Sequence, residues 1–272
     1  MNPLLSVIQP GLNQVRRILE VANRAQGLRP IGTRLNRSAL TRSIVAAHSG
    51  YVNNDRFTRQ YAAPEVSAGF SFVIDMSDSM SYQKQIDGRA TTWWSECVML
   101  VDALAGGCQR INVKTQVAGC LFENKWAERA EGASTSAVPV VCVAKTFHEK
   151  WTPQHARKIK GVRPQGGTDL IAYAEASLDL ARQIDATHKL AFFLTDGECT
   201  TKRYLESLRQ QAEIEGIRLV GIGLGVEGDK LPNGVSARSA EEVGRKVMGH
   251  LEKLLKSRTG IESNDEIYPS TP

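Results

Sequence analysis

The sequence predicts an α/β fold: a mostly parallel central sheet, covered by helices on both faces, with one antiparallel edge strand. Short apolar runs rich in β-branched and aromatic residues are typical of buried strands, and they alternate with longer segments of helical periodicity. This alternation is the pattern of parallel strands joined by helical crossovers. The composition agrees, because 42% of the 272 residues are hydrophobic and 23% are charged, as in ordinary globular proteins.

Residues 1–62 are predicted to form a helical appendage packed on the main domain. Within residues 4–25, apolar side chains recur at steps of three and four, which predicts one or two amphipathic helices with a break near Pro10-Gly11. The rest of the segment is predicted to be a connector over 28–35, a short helix over 37–48 and an extended lead-in over 56–62.

Positive charge is concentrated in the same N-terminal segment. It contains nine arginines, no lysine and two acids, a net charge of +7, whereas the whole chain carries +5. Such an asymmetry suits contact with an acidic partner or a nucleic acid. The other interpretation is a solvated helix surface, and we prefer it.

The main domain is predicted to span residues 63–258, followed by a polar, flexible tail over 259–272 that contains two prolines. Its first strand covers 70–74. The later strands are predicted over 113–122, 138–147, 189–195 and 217–224, and the helices over 91–105, 153–162, 169–184, 202–215 and 239–255. The strand over 138–147 is placed at an edge, because the sheet changes direction there.

Oxygen-bearing side chains follow the first strand of the main domain. Asp75 ends the strand, and Ser77 and Ser79 follow at alternate positions. In a near-extended chain these three side chains point the same way, so they would converge at the carboxyl end of a strand, where open parallel sheets bind ligands. Oxygen ligands suit a hard cation such as Mg²⁺. Because Asp and Ser are also common turn residues, a plain turn is the alternative.

Two later segments have similar chemistry. The segment 166–169, Gly-Gly-Thr-Asp, directly precedes a predicted helix, and its glycines would let Thr168 approach an ion closely. The apolar strand that begins at residue 189 is followed by Asp196 and a glycine. A helix N-cap is the structural alternative for the first segment, and a β-turn is the alternative for the second.

Together, the three segments resemble the metal-ion-dependent adhesion site (MIDAS) of von Willebrand factor A (VWA) domains. That site consists of Asp-x-Ser-x-Ser, then a Thr, then an Asp, and the order of the segments and the helices between them fit as well. The resemblance implies a Rossmann-like VWA domain that binds one Mg²⁺ or Mn²⁺. The implied metal ligands are Asp75, Ser77, Ser79, Thr168 and Asp196.

The ligand set implies a binding site with an exchangeable position. Three of the five ligands are neutral hydroxyls, and Mg²⁺ keeps water where a protein supplies no oxygen. A carboxylate from a partner would then complete both the coordination and the charge. VWA domains usually have Gly where this chain has Asp78, so an extra carboxylate lies beside the site.

A narrower resemblance covers nearly the whole chain. Residues 34–42 resemble the segment that precedes the VWA domain in the CobT subunit of aerobic cobaltochelatase. Residues 219–225, followed by Ala-Glu-Glu-Val from residue 240 and a last helix, resemble the end of that subunit. The resemblance to CobT and to MoxR-associated VWA proteins implies a non-hydrolysing partner of a CobS- or MoxR-type AAA+ ATPase.

Three functions stay open at this point. The first is a Mg²⁺-dependent interaction subunit of such an ATPase machine. The second is a cobalt or magnesium chelatase subunit that contacts a tetrapyrrole. The third is a nucleic-acid-binding module that uses residues 1–62. With no Walker A sequence, no nucleophile elbow and only scattered histidines, we assign no catalytic or cofactor-binding residue and expect no catalysis by the chain alone.

The sequence also predicts a cytoplasmic location without membrane contact. No apolar run approaches the ~20 residues of a membrane span, and the N-terminus lacks the apolar core of a signal peptide. An odd number of scattered cysteines indicates reduced thiols. These cysteines are Cys97, Cys108, Cys120, Cys142 and Cys199.

Overall fold

The computed structural model describes residues 4–25, 28–29, 34–35, 37–49, 57–58, 67–123, 138–197, 202–226 and 231–259. The helices are α1 (Leu4–Ala25), α2 (Arg37–His48), α3 (Trp93–Arg110), α4 (Pro153–Lys160), α5 (Leu170–Gln183), α6 (Lys202–Ile214) and α7 (Ala240–Thr259). The strands are β1 (Leu28–Arg29), β2 (Arg34–Leu35), β3 (Phe57–Thr58), β4 (Ala68–Asp75), β5 (Gln83–Ile86), β6 (Arg89–Thr92), β7 (Lys114–Glu123), β8 (Val138–Lys145), β9 (His188–Thr195), β10 (Ile217–Leu224) and β11 (Val235–Ala237).

The central sheet has the strand order β11-β10-β9-β4-β7-β8. Its neighbouring strands pair in parallel except for β7 and β8, which are antiparallel. Side chains from α1, α3, α4 and α7 pack on one face of the sheet, and side chains from α5 and α6 pack on the other. The predicted α/β class is therefore confirmed, including the antiparallel strand at the edge.

The interior strand β4 is buried along its whole length. Phe72 stacks on Phe192 of β9 with ring centroids 5.2 Å apart, and Phe70 meets the same ring edge-on at 6.2 Å. Because helices cover both faces, the strand is mostly apolar, and its buried Ser71 donates to the Ser177 carbonyl of α5 at 2.7 Å. Each fully buried Phe contributes roughly 1.5–3 kcal/mol, so this packing helps to stabilise β4 beside β9.

Helix α1 differs from the prediction of a break near Pro10, because it is continuous from Leu4 to Ala25. Pro10 removes one helical hydrogen bond and is exposed, which disfavours the helix locally. Packing offsets this cost, since Gly11 lies so close to α7 that a Cβ there would be 2.5 Å from Met248 Cβ. Among residues 4–20 of α1, the buried apolar side chains are Leu4, Ile8, Leu12, Val15, Ile18 and Leu19.

The side chains of α1 are thus part of the main hydrophobic core. The domain boundary predicted at residue 62 stays a prediction. The short strands β1, β3 and β2 pair in a small antiparallel sheet, two of them inside the segment predicted as a connector. Helix α2 has the predicted bounds. Helix α7 continues to Thr259, and the rest of the predicted tail lies outside the described residues.

A β-hairpin between β4 and α3 was not predicted. Strands β5 and β6 pair in antiparallel fashion around Asp87 and Gly88, whose φ angles are 50° and 76°. Positive φ at both central residues is the conformation of a type I′ turn, and Asp-Gly is a frequent sequence for it. The Asp-Gly pair was therefore the available indication of this hairpin. The short strand β11 was also missed.

The described cysteines are free thiols. Cys97, Cys108 and Cys120 are buried and Cys142 is exposed, whereas Cys199 lies outside the described residues. Burial raises the pKa of Cys108 and of Cys120 to about 12, so both thiols stay protonated at neutral pH. None of the helices that the structure describes is long and apolar enough to cross a membrane.

Leu12 tests whether α1 belongs to the core. Leu12→Ala should lower the free energy of unfolding by about 2–5 kcal/mol, because the side chain is fully buried and packs tightly against Gly107. The exposed Arg17 is the matched control, and Arg17→Ala should change stability by less than about 0.5 kcal/mol. Urea denaturation measures both. Equal, small effects of the two variants would show that α1 is only loosely attached.

Candidate metal site

Four of the five predicted site residues lie at or just after the carboxyl ends of two neighbouring parallel strands. Asp75 is the last residue of β4, and Asp196 directly follows Thr195 at the end of β9. In the pairing of these strands Ile74 lies beside Leu194, which brings Asp75 next to Thr195. Two residues 121 positions apart in the chain therefore meet at one edge of the sheet, as the sequence predicts for ligand-binding positions.

Asp75 is a fully buried carboxylate held by neutral donors. Its Oδ1 accepts a hydrogen bond from the Ser77 backbone N–H at 2.7 Å, and its Oδ2 accepts one from Thr195 Oγ1 at 2.6 Å. Burial raises the pKa of Asp75, and the hydrogen bonds from Thr195 and Ser77 oppose this shift. No ion pair to Asp75 is found among the described residues. A buried carboxylate of this kind favours a nearby cation.

The two serines form a chain of oxygens that leads from the β4 loop to Asp196. Ser77 Oγ and Ser79 Oγ are 3.1 Å apart, and Ser79 Oγ donates to Asp196 Oδ1 at 2.7 Å. Two oxygens bound side by side to an octahedral Mg²⁺ at about 2.1 Å are separated by about 3.0 Å. The spacing of these oxygens therefore fits three adjacent positions in the shell of a hard cation.

The backbone path to Ser79 differs from the extended chain that the sequence predicts. Ser77 is extended, with φ −65° and ψ 158°, but Asp78–Ser81 form a 3-10 helix. This turn still brings Ser79 back toward Ser77 and places Asp78 on the exposed side. The alternate spacing thus predicted that the two hydroxyls lie close together, although the extended conformation predicted for residues 78–79 was wrong.

The loop that carries Thr168 is hydrogen-bonded to the serine loop. The Gln165 N–H donates to the Met76 carbonyl at 2.6 Å, and the Asp78 N–H donates to the Gly166 carbonyl at 3.2 Å. Gly166 has a φ of 92°, a backbone conformation that glycine adopts without steric cost. These bonds bring residues 165–168 to the same edge of the sheet as the serines.

Thr168 itself is exposed and lies against the turn that follows Asp196. A Cβ built on Gly197 would be 2.6 Å from Thr168 Cγ2, so only a glycine at 197 lets the two segments approach this closely. A Cβ on Gly167 would meet no protein atom within 4 Å, so protein packing does not require glycine there, and its predicted role toward an ion stays a prediction. Gly166 and Gly197 are the positions where glycine is required.

The helix N-cap and the turn that were the alternatives for these two segments are both present, but they use other atoms than the proposed metal ligands do. Asp169 is the N-cap of α5, since its Oδ1 accepts from the N–H groups of Ile171 at 2.9 Å and Ala172 at 3.2 Å. The Gly197 N–H donates to Thr195 Oγ1 at 2.9 Å in the turn after β9. Neither interaction uses the Thr168 hydroxyl or the Asp196 carboxylate.

Lys84 is a residue near the site that the sequence analysis missed. Its Nζ lies 4.0 Å from Asp196 Oδ2, the oxygen that Ser79 does not contact. Lys84 belongs to β5, in a segment for which no structure was predicted. No motif marks this lysine, because its position follows from the fold of the hairpin.

The electrostatic environment of the site is negative. Burial raises the pKa of Cys97 well above its usual value, and the negative charges of Asp75, Asp196 and Glu96 add to the effect. Within the described residues, no group of three or more His, Cys, Asp or Glu side chains could hold a metal. A metal at this edge would therefore depend on hydroxyls and two carboxylates, a donor set that suits a hard cation.

Comparisons with known proteins gave matches among solved structures. No protein-family model matches the sequence, and no curated protein matches it. The pilus adhesin SpaC from Lactobacillus rhamnosus GG is similar over 73% of this chain, with 15% identity and a TM-score of 0.49. The proximal thread matrix protein 1 of the mussel byssus, in a form with a zinc-occupied MIDAS motif, matches over 70%, with 14% identity and a TM-score of 0.45.

The VWA domain of SpRpn10 is a further match over 67% of this chain, with 8% identity and a TM-score of 0.44. The matched region covers 82% of the SpRpn10 domain, 48% of the mussel protein and 31% of the adhesin. This chain therefore spans about a third of the adhesin and about half of the mussel protein.

Thr195 tests the support of the buried carboxylate. Thr195→Val should lower the free energy of unfolding by about 1–3 kcal/mol, because Asp75 Oδ2 loses the hydrogen bond from the Thr195 hydroxyl and the Gly197 N–H loses its acceptor. Thr195→Ser keeps the hydroxyl and should be much closer to the wild type in urea denaturation at neutral pH. If the valine variant were as stable as the serine variant, the hydroxyl would not support Asp75.

Proposed function

We propose that this protein is a Mg²⁺-dependent VWA interaction module, with Mn²⁺ as an alternative ion. The observation that carries the proposal is the chain of oxygens from Ser77 through Ser79 to Asp196, whose spacings of 3.1 and 2.7 Å fit neighbouring ligands of one hard cation. The proposed ligands are Asp75, Ser77, Ser79, Thr168 and Asp196. When bound, the ion supplies a positive charge and an exchangeable coordination position.

The arrangement of the donors supports binding more than catalysis. The hydroxyls of Ser79 and Thr195 donate to the carboxylates of Asp196 and Asp75, so hydroxyl and carboxylate oxygens already converge here as they would around an ion. Asp75 is buried, whereas Thr168 at the rim is exposed. A partner group would therefore reach the ion from the side of Thr168, and a carboxylate there would complete both coordination and charge.

The partner we propose is an AAA+ ATPase of CobS or MoxR type, in a chelatase-like or remodelling complex. The support is the sequence resemblance to CobT over residues 34–42 and 219–225 together with the metal motif. A tetrapyrrole-contacting chelatase subunit, a nucleic-acid contact through residues 1–62 and a cytoplasmic location stay predictions. On the basic segment, Arg16 pairs with Glu20 at 2.8 Å, so part of its charge is already compensated.

Metal binding is the first test of this function. Mn²⁺ should bind the wild type and raise its melting temperature, since an ion bound only by the folded state adds about 2.7 kcal/mol at a hundred times its Kd. Asp196→Asn should lose both effects, because Asp196 provides one of two charged ligands. Asp185→Asn is the control, as Asp185 is an exposed carboxylate away from the site.

Isothermal titration calorimetry and thermal unfolding with and without EDTA measure these effects. The same Mn²⁺ affinity for the wild type and Asp196→Asn would remove the metal from the proposed function.

Partner binding is the second test. Thr168→Ala should weaken the complex with the ATPase at least about tenfold while leaving the fold stable, because the ion loses one oxygen of its shell and no core contact changes. Thr168→Ser keeps the hydroxyl and should bind nearly as the wild type does. Affinity is measured by biolayer interferometry with Mg²⁺ and with EDTA. A complex that is indifferent to EDTA and to Thr168→Ala would show that the partner docks elsewhere.

A further inference from the structure

The hairpin of β5 and β6 stands beside the candidate metal site and is anchored both at its turn and at its base. It pairs with itself and not with the central sheet. Ile86 is 3% exposed and belongs to the core that contains β4, and β6 leads directly into α3 at Trp93. Most of its other side chains are exposed. Ile86 therefore anchors the turn end and the junction with α3 anchors the base, while most of the outward side chains are exposed to solvent.

One side chain of this hairpin reaches from solvent to a buried carboxylate. The Lys84 side chain is 42% exposed and the Asp196 side chain is 3% exposed, and their charged atoms are 4.0 Å apart. Ser79 holds the other oxygen of Asp196. Lys84 thus supplies positive charge to a carboxylate that burial would otherwise leave with a neutral donor only.

A divalent cation on Asp196 Oδ1 would share this carboxylate with the Lys84 ammonium, which lies 4.0 Å from Oδ2. Like charges at such short separations repel strongly even at the effective dielectric constant of a protein surface. The ammonium would have to move away from Asp196 when the ion binds, and its partial exposure gives it room to do so. The repulsion then lowers the affinity of the site for the ion.

We propose that Lys84 is a built-in counter-ion of the metal site, which competes with the divalent cation for Asp196 and sets the metal concentration at which the site fills. This inference rests on the proposed metal function and adds to it a residue outside the MIDAS motif. The competition is between charges, so an arginine in place of Lys84 would preserve it and a neutral side chain would abolish it.

The test compares Lys84→Met, Lys84→Arg and Arg89→Met by calorimetric titration with Mn²⁺. Lys84→Met should bind Mn²⁺ about tenfold more tightly than the wild type, since solvent screening limits the effect of one half-exposed charge. Lys84→Arg should bind as the wild type does. Arg89 is an exposed cation on the same hairpin, so Arg89→Met controls for a general loss of positive charge and should stay within about twofold.

Thermal unfolding distinguishes competition from a merely structural role. In EDTA, Lys84→Met should melt below the wild type, because Asp196 has lost its counter-charge. In saturating Mn²⁺, the melting temperature of the same variant should rise by more, relative to EDTA, than the melting temperature of the wild type rises. A purely structural lysine would lower the melting temperature equally in both conditions, and that result would overturn the inference.

The possible failures are distinguishable. If Asp196→Asn abolishes Mn²⁺ binding and Lys84→Met binds no more tightly than the wild type, the metal site stands and the role of Lys84 is wrong. If neither the wild type nor Lys84→Met binds Mn²⁺, the proposed metal function fails and this inference fails with it. Binding that appears only in Lys84→Met would support the competition directly.

Discussion

A fully buried carboxylate at the end of an interior strand is the constraint on which this edge of the molecule depends. Asp75 terminates β4, which is covered on both faces, so water cannot solvate its charge. Its two oxygens take hydrogen bonds from the Thr195 hydroxyl and the Ser77 amide instead. The neighbouring strand β9 must therefore end on a residue with a hydroxyl group, Thr195. The loop after β4 must direct the Ser77 N–H toward the Asp75 carboxylate. The requirements of one carboxylate thus extend to two separate segments.

The same requirement links three loops that are far apart in the chain. Ser77 and Ser79 continue the oxygen network to Asp196, and backbone hydrogen bonds tie the 165–168 loop to the serine loop. Two of these loops directly follow β4 and β9, so their positions are set by strand register, whereas the 165–168 loop is placed by its hydrogen bonds to the serine loop. This is why short, polar segments can hold side-chain oxygens to within a few tenths of an ångström of the spacing of a metal shell.

Much of the fold and of the site could be predicted from local sequence, and the exceptions share a physical cause. Alternating apolar runs and helical periods predicted the sheet and its helices, and strand ends at Asp75 and Asp196 predicted the edge. The continuity of α1 through Pro10 could not be predicted, because contact with Met248 on α7 decides it. The position of Lys84 likewise follows from the hairpin and from its neighbour Asp196, which directly follows β9. Tertiary contacts decided each case in which the local pattern was insufficient.

The charges at this edge make ion and partner interdependent under the proposed function. The carboxylates that raise the pKa of Cys97 give the edge a negative field, and Asp78 adds an exposed negative charge at its rim. A partner carboxylate that approached without an ion would meet like charge and no coordination. With the ion bound, the same carboxylate completes its shell. Because such coupling is reciprocal, the partner must raise the affinity for the ion by the factor by which the ion raises the affinity for the partner. Competition from Lys84 would weaken ion binding in the free protein, so the site would fill mainly in the complex.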